Sequence, residues 1–322
     1  MFRLPRGADT FRASIRFERA KGPEQSGPIL FWERFLVSCH MPNPLRQIDF
    51  RARRVVLTRK DFAFAPKPAR RPSDIIDRET WESVVILPDD VAIRTSNYHG
   101  TTLRQLHDLW GAWVESFGSV HDCMFAVMLD AGDDFQAATY TALTGFYRLS
   151  VAALRSALEL TVIGTWTQVC RKHREFRSWR SGRNALSFGQ ACDGLLGAAG
   201  PLEAHLGATI DDSIFAQRSS SGEGGYARRM YRGISDFSHS RPGYADGDMR
   251  QSNGPIYARS AFNHVAWVQF ETFAICFVLL LLARPKQQLP PPAIQLFSGV
   301  KRVKSRATRA AFEFLYASAE RK

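Results

Sequence analysis

Apolar residues recur at the spacing of an amphipathic helix through the middle of the chain. Eight of them follow one another at steps of three or four residues: Leu103, Leu106, Trp110, Trp113, Phe117, Val120, Met124 and Val127. This spacing places all eight on one stripe of a single long helix, and the stripe must be buried. Its repeat of seven residues in two turns favours packing against another long helix, as in a bundle.

Turn signals divide the following part of the chain into further helices. Residues 131–134 (Ala-Gly-Asp-Asp) predict a turn and an N-cap, so the next helix is expected from about Phe135 to about Cys170. Glycines and a proline then break residues 182–201 into short helical pieces. A flexible loop rich in serine and glycine at 219–225 precedes a helix over Tyr226–His239.

The last long helix is apolar on nearly all sides from Phe262 to Ala283, and Pro255 suits its first position. A transmembrane span needs about 20 apolar residues. The uninterrupted run Phe273–Ala283 is shorter, and its upstream extension takes in Glu271 and other polar residues. The pattern therefore favours a buried central helix, with a membrane anchor at this position as the alternative.

Together these patterns predict an all-α fold, a bundle of about four main helices with shorter additions. Residues 81–88 predict a short extended or turn-bounded segment before the first long helix. Ile294–Ala319 is expected to form a basic terminal helix after a turn at the prolines 290–292.

Basic charge is concentrated ahead of the helices. Residues 1–71 hold sixteen Lys and Arg against six Asp and Glu, a net charge of +10 out of the +12 of the whole chain. Charge mixed with proline favours a solvated, weakly ordered extension at 1–75, ahead of an α-helical domain at 76–322. The alternatives are an arm that contacts phosphates and a start codon assigned too early, with Met41 as an internal candidate.

Composition and missing motifs exclude several classes of protein. The five cysteines are an odd number without a CxxC pair, which favours a reducing compartment, the cytoplasm, over a disulfide framework or a zinc ribbon. Charged residues interrupt any apolar leader near the start, so no signal peptide is expected. The chain has no Walker loop, HExxH, GxSxG or full dinucleotide fingerprint, and its histidines lack ligand spacing. No metal and no cofactor are expected.

One short motif carries chemistry. Arg232 and His239 lie seven residues apart, so a continuous helix presents both on one face, with Ser235 and Asp236 between them. A guanidinium neutralises phosphate oxygens with paired donors, and an imidazole titrates near neutrality and exchanges a proton with a hydroxyl or a leaving oxygen. The pair therefore indicates phosphate chemistry that needs no metal.

The segment Tyr231–His239 (YRGISDFSH) resembles the Rx4-6H signature of the HEPN superfamily, and the order of helices over residues 100–285 is similar to that family. The resemblance implies an α-helical bundle, often dimeric, that acts as a metal-independent endoribonuclease. It also implies that His239 acts as general base or acid in attack by the ribose 2′-hydroxyl, while Arg232 stabilises the phosphorane. Gly233 departs from the nucleolytic members, which often have a polar residue there.

Neighbouring residues can support such a site. Arg228 and Arg229 either enlarge a basic patch for RNA or are simply solvated, and Tyr231 either stacks on an unpaired base or packs against the protein. Arg155 and Glu159, four residues apart in an apolar helix, form an internal ion pair near the bundle axis or a second wall of the site.

The same residues also fit a non-catalytic interaction or RNA-binding module. Arg232 can pair with Glu159 across the bundle or with Asp236 at i+4, and a protonated His239 can cap the helix C-terminus. Such a polar network fixes the register of helices without any reaction. RNA and a second copy of the chain are the expected partners, while catalysis and a structural role of the motif both stay open.

Overall fold

The computed structural model describes residues 76–118, 122–216, 224–238, 255–298 and 302–320, without the side chains of 236–238, 319 and 320. All of these residues belong to the unit Ala65–Lys322. The expected extension at 1–75, most of the loop at 219–225, and His239 lie outside the described residues. Within the described ranges every regular element is a helix and no strand occurs, so the predicted all-α character is confirmed.

The described α-helices follow one another along the chain, and a π-helical segment, Glu82–Ile86, joins the first two. Their bounds are α1 (Arg78–Trp81), α2 (Leu87–Glu115), α3 (Cys123–Leu143), α4 (Tyr147–Val169), α5 (His173–Arg180), α6 (Phe188–Ala198), α7 (Gly200–Ile210), α8 (Tyr226–Ser238), α9 (Arg259–Ala283), α10 (Pro291–Phe297) and α11 (Arg306–Glu320).

Helix α9 is the central helix of the bundle. It packs against α2, α3, α4, α10 and α11, and every residue from 268 to 281 is buried. Its length and apolarity would suffice for a membrane span, but 89% of its most apolar window is covered by the protein itself. A helix surrounded by other helices must be apolar on all sides, so the prediction of a buried central helix is confirmed.

Aromatic rings from three helices interlock beside α9. The rings of Phe135 and Phe273 stack with their centroids 3.9 Å apart. The Trp113 ring meets Phe135 and Phe277 edge to face at 5.6 and 5.5 Å. Trp113 Nε1 donates a hydrogen bond to the Met128 carbonyl oxygen at 3.0 Å, so the one polar atom of this buried ring is satisfied. These contacts hold α2, α3 and α9 in register.

The predicted single helix from Leu103 to Val127 is wrong, because the chain turns between α2 and α3. Gly118 adopts a left-handed φ of 66° that other residues rarely adopt. Asp122 Oδ1 then accepts from Phe125 N at 2.8 Å and caps α3. The guanidinium of Arg284, just after α9, pairs with Asp122 at 2.7 Å and donates to the Phe117 carbonyl oxygen at 2.9 Å. Six described residues of the stripe are buried and Leu103 is partly buried. They are divided between α2, the turn after it and α3.

The turn predicted at 131–134 is also wrong, because these residues lie inside α3. Gly132 allows close packing: a Cβ there would lie 3.5 Å from the Phe117 ring, and Trp110 Nε1 donates to the Gly132 carbonyl oxygen at 3.1 Å. The chain turns instead at 144–146, where Gly145 has a φ of 86° and would place a Cβ 2.5 Å from backbone atoms of Ile256. The expected helix over 135–170 is therefore divided between α3 and α4.

Three other boundaries differ from the sequence-based expectation. Residues 81–88 are helical because Asp77 caps α1, accepting from Thr80 N at 2.8 Å. The last long helix begins four residues after Pro255, since Ala258 is still extended. The expected terminal helix is two helices, α10 and α11, and Ser305 Oγ caps the second by accepting from Thr308 N at 3.1 Å.

Candidate functional site

Helix α8 carries the motif, and its first residue is tied to the centre of the bundle. The Tyr226 hydroxyl donates to Glu271 Oε2 of α9 at 2.7 Å, and burial beside that carboxylate raises the pKa of Tyr226. Glu271 is itself buried, and its Oε1 accepts from Lys304 N at 2.6 Å. A buried carboxylate needs such partners, so this contact fixes the start of α8 against α9 and the segment before α11.

Four polar side chains join the middle of α8 to α4, and we call them the α8 clamp: Arg155, Glu159, Tyr231 and Ser235. Arg155 Nε donates to Ser235 Oγ at 2.9 Å, and another nitrogen of the same guanidinium donates to the Tyr231 hydroxyl. That hydroxyl donates to Glu159 Oε2 at 3.0 Å, while Arg155 Nη1 lies 3.6 Å from the same oxygen. The clamp thus brings together four of the residues that the sequence singled out.

Two side chains lie over the ring of Tyr231. Phe188 of α6 stacks on one face at a centroid distance of 3.9 Å and an interplanar angle of 8°. The Arg155 guanidinium lies 4.7 Å from the ring centroid. Burial and the neighbouring Glu159 raise the pKa of Tyr231 to about 12, which keeps the phenol protonated as a donor. A base that stacked on Tyr231 would therefore compete with Phe188 or with the Arg155 guanidinium.

Arg228 and Arg229 connect α8 to other parts of the protein. Arg228 pairs with Asp193 of α6 and donates to the Gly189 carbonyl oxygen at 3.0 Å. Arg229 pairs with Asp212 at 3.0 Å. Each guanidinium has a carboxylate partner, so neither offers an uncompensated charge to RNA. No local pattern in the sequence indicates these pairs, because the partners lie 35 and 17 residues away along the chain.

Arg232 differs from its neighbours on α8. It is exposed and has no hydrogen bond, ion pair or ring contact with any described residue. Glu159, its suggested partner across the bundle, is instead engaged by Arg155 and Tyr231. A Cβ at the adjacent Gly233 would meet no described heavy atom within 4 Å, so none of the described residues covers the surface beside Arg232. The side chain of Asp236, the other suggested partner, lies outside the described residues, as does His239.

Two surface clefts of about 440 Å³ were not predicted from the sequence. The arginine cleft is lined by Arg174, Arg177, Ser178, Ser181 and Arg183, on α5 and the turn after it. The aromatic cleft is lined by Arg94, Tyr98, Tyr257 and Arg259, from α2 and the segment that leads into α9. The described residues that line the two clefts include arginines and no carboxylate, which suits both clefts to anionic ligands.

A cysteine and a histidine also meet in the structure, at Cys123 Sγ and His173 Nδ1, 3.3 Å apart. A nucleophilic cysteine needs a lowered pKa and access to substrate. Cys123 is buried, and this burial raises the pKa of its thiol. The pair is therefore unsuited to nucleophilic catalysis. Among the described residues, no three His, Cys, Asp or Glu side chains are grouped so that they could hold a metal ion.

Comparison with known proteins identifies no relative. No model of a protein family matches the chain, and no curated protein and no solved structure matches it.

Proposed function

We propose that this protein is a HEPN-like bundle of four main helices that cleaves RNA without a metal, through Arg232 and His239. The observation that supports the proposal is the exposed guanidinium of Arg232, which has no partner among the described residues, on a helix that the α8 clamp holds in place. Pre-positioned cations stabilise charge that develops in a transition state, because they need no reorganisation when the charge forms.

The chemistry follows from the two side chains. The guanidinium of Arg232 binds non-bridging oxygens of a phosphodiester and neutralises the charge of the phosphorane. The imidazole of His239 takes the proton from the ribose 2′-hydroxyl or delivers one to the departing 5′-oxygen. The 2′-oxygen bonds to phosphorus as the bond to the 5′-oxygen breaks, which leaves a 2′,3′-cyclic phosphate. A second copy across a two-fold axis would supply both a base and an acid.

Cleavage of a mixed-sequence RNA in the presence of EDTA tests this proposal. Arg232→Ala and His239→Ala are each expected to lower the rate by about 100-fold or more, as for loss of a general acid–base or charge-stabilising group. The matched control is Arg104→Ala, which removes another exposed arginine without a described partner. The unfolding temperature of Arg232→Ala should stay close to wild type because Arg232 has no hydrogen bond, ion pair or ring contact with a described residue. Equal rates for all four proteins would refute the proposal.

A second candidate function is a non-catalytic module that binds RNA or a protein. It is favoured because most polar side chains of the motif region contact other parts of the bundle and thus act as structural residues. They are Arg228, Arg229, Tyr231 and Ser235. This candidate predicts that the wild-type protein binds RNA or a partner without cleaving any RNA in EDTA or in Mg²⁺.

A further inference from the structure

The aromatic cleft contains an exposed tyrosine, Tyr98, whose ring stacks on that of a second tyrosine, Tyr257. Tyr98 is 72% exposed, and one face of its ring stacks on Tyr257 with centroids 5.6 Å apart and planes 25° apart. An aromatic side chain this exposed loses the benefit of burial. Its outer surface remains available for another planar group.

The tyrosine beneath it is rigidly held. The Tyr257 hydroxyl is 3.2 Å from His99 Nε2, and His99 stacks on Phe262 of α9 at 4.3 Å. The next residue, Ala258, donates its backbone N–H to the Tyr147 hydroxyl at 3.0 Å. Little conformational entropy is therefore lost when a ligand stacks on this pair of rings.

The cleft carries positive charge beside the rings. Arg259 is exposed and has no ion-pair partner among the described residues. Burial, together with the charge of Arg259, lowers the pKa of His99, which favours a neutral imidazole beside the Tyr257 hydroxyl. Arg94 also lines the cleft, although Asp90 compensates its charge at 3.0 Å. A ligand with a planar group and an adjacent anion matches this combination.

The cleft lies at the end of the bundle toward which α8 runs. Tyr231 and Ser235 of α8 contact Glu159 and Arg155 of α4, respectively, so the two helices are antiparallel. The C-terminal end of α8 therefore points to the start of α4. There Tyr147 holds the segment that carries Tyr257.

We propose that the aromatic cleft binds one unpaired base of single-stranded RNA, stacked on Tyr98, with Arg259 contacting a neighbouring phosphate. This inference rests on the proposed function for the class of ligand. Aromatic platforms flanked by cations are typical of single-strand recognition, and stacking on them tolerates any base. A duplex cannot use the platform because its bases are already stacked and paired. The cleft thus holds the strand while Arg232 and His239 act on a phosphodiester.

Fluorescence anisotropy with a labelled single strand of about twelve nucleotides tests the inference. The strand is 2′-O-methyl RNA, which lacks the attacking hydroxyl, so the full wild-type chain can be used without cleavage. Tyr98→Ala is expected to weaken binding by about 5- to 150-fold, and Tyr98→Phe to keep it within about 2-fold. Tyr140→Ala is the matched control, because Tyr140 is 65% exposed and lies outside the cleft.

Salt dependence tests the phosphate contact separately. Arg259→Ala is expected to reduce the slope of log affinity against log salt by about 0.7, the value for one phosphate of a single strand, while Tyr98→Ala leaves the slope unchanged. Wild-type affinity in Tyr98→Ala would overturn the inference and leave the proposed cleavage intact. Weakened binding in Tyr98→Ala, together with unchanged cleavage in Arg232→Ala and His239→Ala, would support the inference and overturn the proposed active site. A wild-type protein that binds no single strand would overturn both.

Discussion

Removal of the Tyr231 hydroxyl tests how much the α8 clamp contributes to the free energy of unfolding. Tyr231→Phe removes the oxygen that accepts from Arg155 and donates to Glu159. The ring is expected to stay in place, because Phe188 still stacks on it and the Arg155 guanidinium still lies over it. The substitution therefore removes two hydrogen bonds and leaves the packing intact.

The expected magnitude follows from the charge and the exposure of the two partners. A hydrogen bond to a charged group contributes about 1.5 to 3 kcal/mol when it is buried. The side chains of Arg155 and Glu159 are 28% and 29% exposed, so water replaces part of each lost bond. We therefore expect Tyr231→Phe to lower the free energy of unfolding by about 1 to 2 kcal/mol.

Urea unfolding provides the assay. An unchanged slope of the free energy of unfolding against urea concentration would show that the unfolded state is unaffected. A double-mutant cycle with Glu159→Ala, which removes the acceptor, isolates the interaction, with an expected coupling of about 0.5 to 1.5 kcal/mol. Tyr140→Phe is the matched control, since this exposed tyrosine has no described hydrogen bond to lose. A coupling of zero, or an equal loss in the control, would show that the clamp does not hold α8.

Three other substitutions test the packing and electrostatics of the bundle. Arg284→Ala deprives the Asp122 carboxylate of a partner that donates two hydrogen bonds. The free energy of unfolding in urea should therefore fall by about 3 kcal/mol. A loss below about 1 kcal/mol would contradict this ion pair. Gly194→Ala would place a Cβ 1.9 Å from Trp166 Nε1 of α4 and should lower the unfolding temperature. Gly111→Ala should raise the unfolding temperature, because a Cβ there would meet no described atom within 4 Å and alanine favours a helix. Equal effects of the two substitutions would contradict the packing of Gly194 against Trp166. Burial raises the pKa of Asp134 to about 6, so its ionisation costs stability as the pH rises from 3.8 to about 6. Asp134→Asn should therefore be more stable than wild type at pH 7 and show a flatter profile of unfolding temperature against pH over that range; an unchanged profile would contradict the raised pKa.

The helical character of the chain and much of its core could be read from the spacing of apolar residues. The helix ends could not, because glycine has two opposite uses here. Gly118 and Gly145 adopt positive φ at turns, whereas Gly132 lies inside α3 and lets aromatic rings approach its backbone. The sequence shows only that each position lacks a side chain. Tertiary packing decides which glycine ends a helix.

The candidate site also combines contacts that the local sequence indicates with contacts that only the packing of the helices creates. The spacing of Arg155 and Glu159 indicated one face of a helix, which is a local property of the sequence. The contacts of Tyr231 with Glu159 and Phe188 join residues 72 and 43 positions apart, and nothing in the local pattern specifies them. The polar residues of α8 can therefore be identified from the sequence. Only the contacts of this helix with α4, α6 and Asp212 distinguish its engaged arginines from the exposed Arg232.

The chemical ends of the RNA fragments test the central claim most directly. Wild-type protein in EDTA is expected to produce fragments with 2′,3′-cyclic phosphates and 5′-hydroxyls, and the double variant Arg232→Ala, His239→Ala should produce none above background. Fragments with 5′-phosphates and 3′-hydroxyls, or the same cyclic ends at the same rate from the double variant, would contradict the assignment of these two residues to RNA cleavage.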